Sequence, residues 1–374
     1  MKLVIERTDL LKAVDPAAKV IQRRNTIPIL NNIKIAAEGS QIAVTATDLE
    51  IEIRTMAPAG VDIAGAVTVP ADHLLDLIKC MPDGSQIAFE LQEDTRLSMR
   101  CGRSHTRLPT LPPSDYPEIA PGEMSHRFDV AGEDLTTLLR DTVFAASNEP
   151  TLARICGVHW HQVETDQGPR LAAVATDGSR MLARRVMPLP DGASGFPPIT
   201  LPTKTVSEIT RLVDKNKGEI AIALCDSKIR VIIGETVLTS NLIAGGFVDY
   251  TRIVPKSTTN AITVEASPFL AAIERVNIIA DRDNVRSTVF AFDDRKLTLT
   301  MANQASADLR EEVPCDFEGV PFSIGYDHRL LARLLGVIGG DTVLLQIDDV
   351  GPNTMFSTRA GSDLYVLLAK MQVK

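Results

Sequence analysis

The sequence predicts an α+β protein built as three tandem copies of one unit, each with two helices packed on antiparallel sheets. Three observations carry this reading. KLVIERTDLLKAV at the start, RFDVAGEDLTTLLRDTV near the first third and AITVEASPFLAAIERV later share one pattern: a short alternating strand, a polar capping region, then an apolar run spaced by three and four. A second pattern recurs as VTVPADHLLDLIKCMPDGSQIAFEL, ITLPTKTVSEITRLVDKNKGEIAIAL and FSIGYDHRLLARLLGVIGGDTVLLQI, each reading strand, helix, glycine-containing turn, strand. The 374 residues divide into three units of ordinary domain size.

Element by element, Ile5, Val130 and Val264 occupy the matching strand position. Leu10 and Leu11, then Leu135, Leu138 and Leu139, then Phe269, Leu270 and Ile273 supply the stripe that each first helix buries. Helices are expected over 8–23, 71–81, 132–144, 203–217, 266–282 and 326–335, and roughly eight short strands per copy fill the rest. The steps Thr47-Asp48, Thr176-Asp177 and Ala302-Asn303 fall at corresponding points, which predicts turns where Asp or Asn hydrogen-bonds local backbone. Pro-rich LPPSDYPEIAPGEM and the DYTRIVPKSTTN stretch mark boundaries, giving domains over 1–124, 125–255 and 256–374.

Composition narrows the function. Aromatic residues are only 4%, with Trp160 the single tryptophan, so stacking of sugars, bases or a flat cofactor is not the main task. The net charge of −9 excludes a uniformly basic DNA-coating protein. The six expected helices carry a small positive excess on this acidic chain, the sign expected of a surface facing nucleic acid. The five cysteines, Cys80, Cys101, Cys156, Cys225 and Cys315, are scattered without ligand spacing; they read as reduced core thiols of a cytoplasmic protein, with no structural zinc. The N-terminus does not read as a signal peptide, and no apolar run is long enough to span a membrane. No GxSxG, GxxxxGK[ST] or HExxH occurs, so no catalytic site, metal or cofactor is expected. His159 and His161 bracket Trp160 on one face of an alternating stretch, where a plain strand outweighs a metal site. Asp177 reads as a turn residue rather than a catalytic acid, and Cys156 as a buried thiol rather than a nucleophile.

NTIPILNNIKI with the preceding Arg24, TATDLEIEI, CGRSHTRLPTLPPSDYP, VATDGSRM and GGFVDYTRIVPK lie on this three-copy layout. On these residues the chain resembles the bacterial DNA polymerase III beta subunit, the sliding clamp, over essentially its whole length. The resemblance implies three DNA-clamp domains and a ring-forming homodimer that encircles double-stranded DNA without reading its sequence. It also implies a processivity factor without catalysis or cofactor, which tethers DNA polymerase and clamp-loader subunits through short linear motifs. Two other classes stay open: an enzyme using a cleft between repeats, and a scaffold or specialised second clamp of the same fold.

The resemblance implies site residues too. A partner-peptide pocket would take Ile155, Thr176, Gly178, Ser179, Arg180 and Met181 from the second domain. Val248, Arg252 and Ile253 would come from the following link, and Val366, Leu367 and Leu368 from the C-terminal strand. DNA phosphates would meet Arg24, Arg154, Lys204 and Arg252. The dimer seam would bring Arg103, Thr106 and Leu108 of one copy against Ile278 and Ile279 of the other. Ser179, Met181, Val248 and the ending LLAKMQVK depart from the family pattern, which bears on peptide preference, and Thr106 stands where a Phe is usual.

Overall fold

The computed structural model describes residues 1–372 except 22–25, 93–95, 121, 215–217, 256, 284–286, 303–307, 335 and 349–350, and leaves out the side chains of 280–283, 302 and 308. One order of elements is run through three times. The first pass is β1 (Lys2–Glu6), α1 (Arg7–Ala18), β2 (Asn32–Glu38), β3 (Gln41–Thr47), β4 (Ile51–Pro58), β5 (Gly60–Ile63), β6 (Gly65–Pro70), α2 (Ala71–Cys80), β7 (Gln86–Leu91), β8 (Arg96–Cys101) and β9 (Ser104–Pro109). The second is β10 (His126–Ala131), α3 (Gly132–Val143), β11 (Gly157–Thr165), β12 (Gly168–Thr176), β13 (Met181–Pro188), β14 (Ile199–Pro202), α4 (Thr203–Val213), β15 (Glu219–Leu224), β16 (Lys228–Ile233) and β17 (Thr236–Asn241). The third is β18 (Asn260–Glu265), α5 (Ala266–Asp283), β19 (Ser287–Asp293), β20 (Lys296–Ala302), β21 (Asp308–Pro314), β22 (Phe322–Asp327), α6 (His328–Leu334), β23 (Thr342–Ile347), β24 (Asn353–Ser357) and β25 (Leu364–Ala369). Ile5, Val130 and Val264 are all buried on the strand before each first helix.

Three helices differ from expectation by more than one residue at an end. α1 stops at Ala18 because Pro16 lacks the N–H that would bond Lys12 and so weakens the last turn. α4 ends at Val213. Tyr326 and Asp327 close strand β22, and the Asp327 carboxylate accepts the Arg329 N–H at 3.0 Å, so α6 begins two residues late. The observed bounds of α1, α4 and α5 overturn the expected positive excess, although α6 sheds the acidic Asp327. Within the observed bounds stand ten basic residues (Arg7, Lys12, Lys79, Arg140, Lys204, Arg211, Arg275, Arg282, Arg329, Arg333) and eleven acidic ones (Asp9, Asp15, Asp72, Asp76, Glu133, Asp134, Asp141, Glu208, Glu274, Asp281, Asp283). Lys19 is the C-cap of α1, while Arg23, Lys215 and Lys217 lie outside the described residues. The cysteines also differ: Cys101 is buried, Cys156, Cys225 and Cys315 are half-buried and Cys80 is exposed. The Cys156 thiol, expected in the core, lies 3.2 Å from the Glu149 carbonyl in a short 3-10 turn.

The contacts divide the chain into two compact units. The first holds 1–133, 190–197 and 207–242. It contains a five-stranded sheet in the order β5-β1-β7-β8-β9 and an eight-stranded sheet in the order β10-β15-β16-β17-β4-β3-β2-β6. Its largest core lies between α1, α2 and these strands, around Leu3, Leu10, Val44, Leu74 and Phe89. The second holds 134–189, 198–206 and 243–374. It contains an eight-stranded sheet, β14-β11-β12-β13-β25-β24-β23-β18, and a four-stranded sheet, β21-β20-β19-β22. Phe269 of α5 packs edge-on to Phe290, which meets Tyr326.

The two eight-stranded sheets are one design. Each joins four strands of one pass to four of the next, through β4·β17 (Ile51↔Ser240 to Thr55↔Thr236) and β13·β25 (Met181↔Leu368 to Arg185↔Leu364). Most remaining edges are covered, which removes templates for stray pairing. β5 pairs with β1; the 190–197 segment runs beside β10, where a Cβ on Gly192 would sit 2.6 Å from the Arg127 carbonyl; and Asp316 bonds Thr263 of β18. At the other ends Leu111 bridges Thr68, Ile243 donates to the Thr200 carbonyl, and Met371 bridges Gly325. Among the described residues, β9 and β21 keep a long edge with no partner strand.

Tyr116 shows how the Pro-rich link is tied down. Its hydroxyl donates to the Asn32 carbonyl at 3.0 Å and accepts the Thr47 N–H at 3.2 Å, both buried, and burial raises its pKa further above the usual tyrosine range. Tyr116→Phe leaves two buried backbone groups unpaired and is expected to cost about 1–3 kcal/mol in urea unfolding; a loss within error would show that water takes over both bonds.

Candidate partner-binding site

The site is built on a tight turn. The Asp177 carboxylate accepts the N–H groups of Ser179, Arg180 and Met181 at 3.0, 2.7 and 2.9 Å. The Thr176 hydroxyl donates to the Met181 carbonyl and accepts the Gly178 N–H. The same device stands one repeat earlier, where Asp48 accepts from Glu50 and Ile51, and Thr47 from Leu49. This is the turn chemistry expected of both Asp residues; Asn303 lies outside the described residues. Gly178 has φ +84°, and a Cβ there would sit 2.9 Å from the Ile155 Cδ1, so glycine lets Ile155 close over the turn.

The twelve expected pocket residues separate into a buried set and an exposed set. Ile155, Thr176, Met181, Val366, Leu367 and Leu368 are buried. Leu368 lies opposite Met181, and Val366 opposite Ala183, so these share one sheet face. Leu367 is opposite Leu182 and turns to the other face, where it packs with Val174 and Tyr250. Val248 and Ile253 stand 44% and 42% exposed, with Leu152, absent from the expected set, at 41%. Two arginines flank them. Arg180 pairs with Asp327 at 2.7 Å, and Arg252 pairs with Asp249 at 2.9 Å. Bonds from Thr251 and Arg252 hold the Asp249 carboxyl below its usual range.

Residues 245–254 carry Val248, Arg252 and Ile253 across one face of the eight-stranded sheet. Phe247 stacks parallel on His159 at 4.5 Å, and His159 on His161 at 5.0 Å. The His161 Nε2 lies 3.1 Å from the Tyr250 hydroxyl, and the Asn353 amide donates to the Ile253 carbonyl at 3.1 Å. Burial, then the charge of the neighbouring imidazole, lowers His159 to about 4; burial, then Arg184, does the same for His161. Alternation placed both histidines on one face, but their partners lie some 90 residues away and carry no local signal.

Comparison with known proteins decides the family. Models of the DNA polymerase III beta subunit match the N-terminal domain over residues 1–120, the central domain over 129–249 and the C-terminal domain over 251–371. The chain belongs to the DNA polymerase III beta subunit family. It is 37% identical over 356 residues to the beta sliding clamp of Caulobacter vibrioides, covering 95% of each chain, and 29% identical over 375 residues to that of Pseudomonas aeruginosa, covering 100% of each. Among solved structures, the Caulobacter crescentus beta sliding clamp with PEG bound to a putative tethering region matches with TM-score 0.96 at 35% identity, covering 100% of this chain and 99% of that one. The Bartonella birtlesii clamp bound to griselimycin matches with TM-score 0.94 at 32% identity over 100% of both. The three passes are thus three tandem clamp domains of helices on antiparallel sheets.

Against this clamp frame the other expected positions can be placed. Arg154 is exposed at the end of a 3-10 turn, its stem against Gly245, and Lys204 is half-buried in the first turn of α4. Arg24 lies outside the described residues. On β9, Thr106 is half-buried and Leu108 points into its own core at 4% exposure, so its side chain is not available to a seam; Arg103 is exposed in the turn before β9. Ile278 is 53% exposed and Ile279 half-buried on α5, which a two-pronged Arg275–Glu311 pair at 2.7 Å ties to β21. Among the described residues, no three His, Cys, Asp or Glu gather as metal ligands, and no helix is long and apolar enough to cross a membrane.

The histidine pair sets a pH dependence. Both side chains stay neutral when folded but take up protons near 6.5 when unfolded. Stability is therefore full above pH 6.5 and falls as pH drops toward 4, by on the order of 2 kcal/mol per histidine at pH 5. Urea midpoints at pH 7 and pH 5 are expected to differ in the wild type and to converge in His159→Phe/His161→Phe; an equal drop in both proteins would place the titration elsewhere.

Proposed function

We propose that the chain is a sliding clamp: a head-to-tail homodimer that closes as a ring around double-stranded DNA and tethers DNA polymerase and clamp-loader subunits for processive synthesis. The observation that carries this is the pair of open edges. The β4·β17 and β13·β25 seams repeat one pairing, and β21 and β9 are the strands that would continue it. Their charges differ in sign: Arg103, His105 and Arg107 lie on or beside β9, and Asp308, Glu311 and Glu312 outnumber Arg310 on β21. Two unlike edges make a heterologous contact, which closes into a ring when the rotation allows. Ile278 and Ile279 would add apolar contact beside the seam, with Arg103 and Thr106 opposite. Domains run over 1–124, 125–255 and 256–374.

Arg24, Arg154, Lys204 and Arg252 meet phosphates weakly and in many registers, so the ring slides. Since the helices carry no net positive charge, retention is topological rather than electrostatic. Partner motifs with Leu and Phe anchors dock beside Val248, Ile253 and Leu152, with Arg180 and Arg252 at the rim. The chain supplies no catalytic site of its own and works in the cytoplasm without a cofactor.

The purified protein is expected to weigh twice 40.5 kDa in solution. Loaded by a cognate loader with ATP, it stays on nicked circular DNA and leaves after linearisation; a stable monomer, or equal retention on both DNAs, would sink the reading. Griselimycin, the ligand of the Bartonella birtlesii relative, serves as a probe of the pocket. Ile253→Asp, at an exposed position, is expected to weaken its binding at least about tenfold with the dimer mass unchanged; unaltered affinity would remove Ile253 from the site.

A further inference from the structure

We propose that His159 and His161 are positioning residues for the partner pocket: they latch segment 245–254 onto the sheet and so fix where Val248, Arg252 and Ile253 stand. This rests on the reading of those three residues as part of the pocket.

The argument begins with what does not hold the segment. Among the described residues, no backbone hydrogen bond joins 244–254 to the sheet beneath; the last such bond runs from Ile243 to the Thr200 carbonyl. Its attachment therefore falls to side chains. Gly245 rests on the Arg154 stem, with its would-be Cβ 3.3 Å from the Arg154 Cδ. Phe247 lies on His159, the two rings within 1° of parallel. Tyr250 meets His161 through its hydroxyl and its ring edge, 67° to the imidazole, and the rest of the Tyr250 ring packs on Val174, Leu182 and Leu367. Beyond it the Asn353 amide holds the Ile253 carbonyl. Arg184 of β13 also bonds the Tyr250 side chain, and Val254 packs on the same cluster. The two imidazole contacts, which flank Val248, come from one strand.

The spacing of the histidines is what makes this work. Residues two apart on a strand face the same side, and His159 and His161 present their rings as one stack. Phe247 and Tyr250 are three apart in a segment that bends into a 3-10 turn at Tyr250–Ile253. The Thr200 hydroxyl lies 3.0 Å from His159 Nδ1 and fixes that ring's orientation. The other groups around the stack are Arg184 from β13, Tyr365 from β25 and Asp249 within the segment, which is turned to Thr251 and Arg252. Arg184, 5.4 Å from the centre of the Tyr365 ring, sets a positive charge toward His161 and favours the neutral imidazole. Arg252 and Ile253 thus inherit their positions from histidines that touch neither.

The experiment is hydrogen exchange of the full-length dimer together with titration of griselimycin. In His159→Ala and in His161→Ala, the amides bonded within the 3-10 turn at Tyr250–Ile253 are expected to exchange roughly three- to tenfold faster, with griselimycin affinity falling by a similar factor and the dimer mass unchanged. His159→Phe keeps the stack on Phe247 and is expected to restore slow exchange and affinity. Unchanged exchange in both alanine variants overturns the latch. Faster exchange with unchanged affinity also overturns it where Ile253→Asp still abolishes binding. Where Ile253→Asp has no effect either, the pocket assignment has failed and the positioning role falls with it.

Discussion

Everything in this molecule follows from the need to give each strand edge a partner. A clamp domain of this chain does not close its own sheets. β4 and β13 end their own hairpin series with unmatched N–H and C=O groups, and the last strand of the next domain satisfies them. Each buried backbone group left unpaired costs about 1–3 kcal/mol, and each seam runs over five paired positions, so its loss would be costly. The helices can then pack on sheets that are already continuous. The short covering segments on the other edges act in the same sense, since among the described residues they leave β9 and β21 as the long edges open to another chain.

The turn at Thr176–Arg180 shows how function sits on that scaffold. One oxygen of the Asp177 carboxylate accepts three backbone N–H groups, a structural task that its repeat partner Asp48 also performs. What differs is the company. Leu49 occupies the left-handed position in the first domain, at φ +79°, whereas Gly178 leaves room there for Ile155. One missing Cβ thus separates a plain hairpin end from the floor of a candidate site. The charge pattern shows the converse: an electrostatic argument drawn over the expected helices dissolved once α1 was seen to stop before Lys19 and α5 to take in Asp283.

Much of this was legible in the sequence. The repeat, the six helices and the Thr-Asp turns are local patterns, and local patterns are what hydrophobic period and turn chemistry report. The family resemblance supplied the pocket residues; in the structure Val248 and Ile253 are exposed, while Ile155 and Met181 are buried. Which sheet face each of Val366, Leu367 and Leu368 takes was not legible, because it depends on the pairing of β13 with β25, nearly two hundred residues apart in sequence; Leu367 lies on the face that Tyr250 covers. Leu152 and Asn353 were missed for a related reason: an exposed Leu in a 3-10 turn and a buried Asn on a strand look ordinary until the segment beside them is in place. The cysteines were read from compartment logic alone, which says nothing about depth.

The seams have a consequence for how the polypeptide is strung. In β4·β17 and β13·β25 the link between the two domains adds no rung to the ladder but lies against it: the Ile119 N–H bonds the Glu52 carboxylate, opposite Thr239 in the first seam, and Tyr250 packs on Leu182 and Leu367, a paired position of the second. Each of these joints is therefore fastened twice, once by backbone pairing and once by the stretch of chain that crosses it.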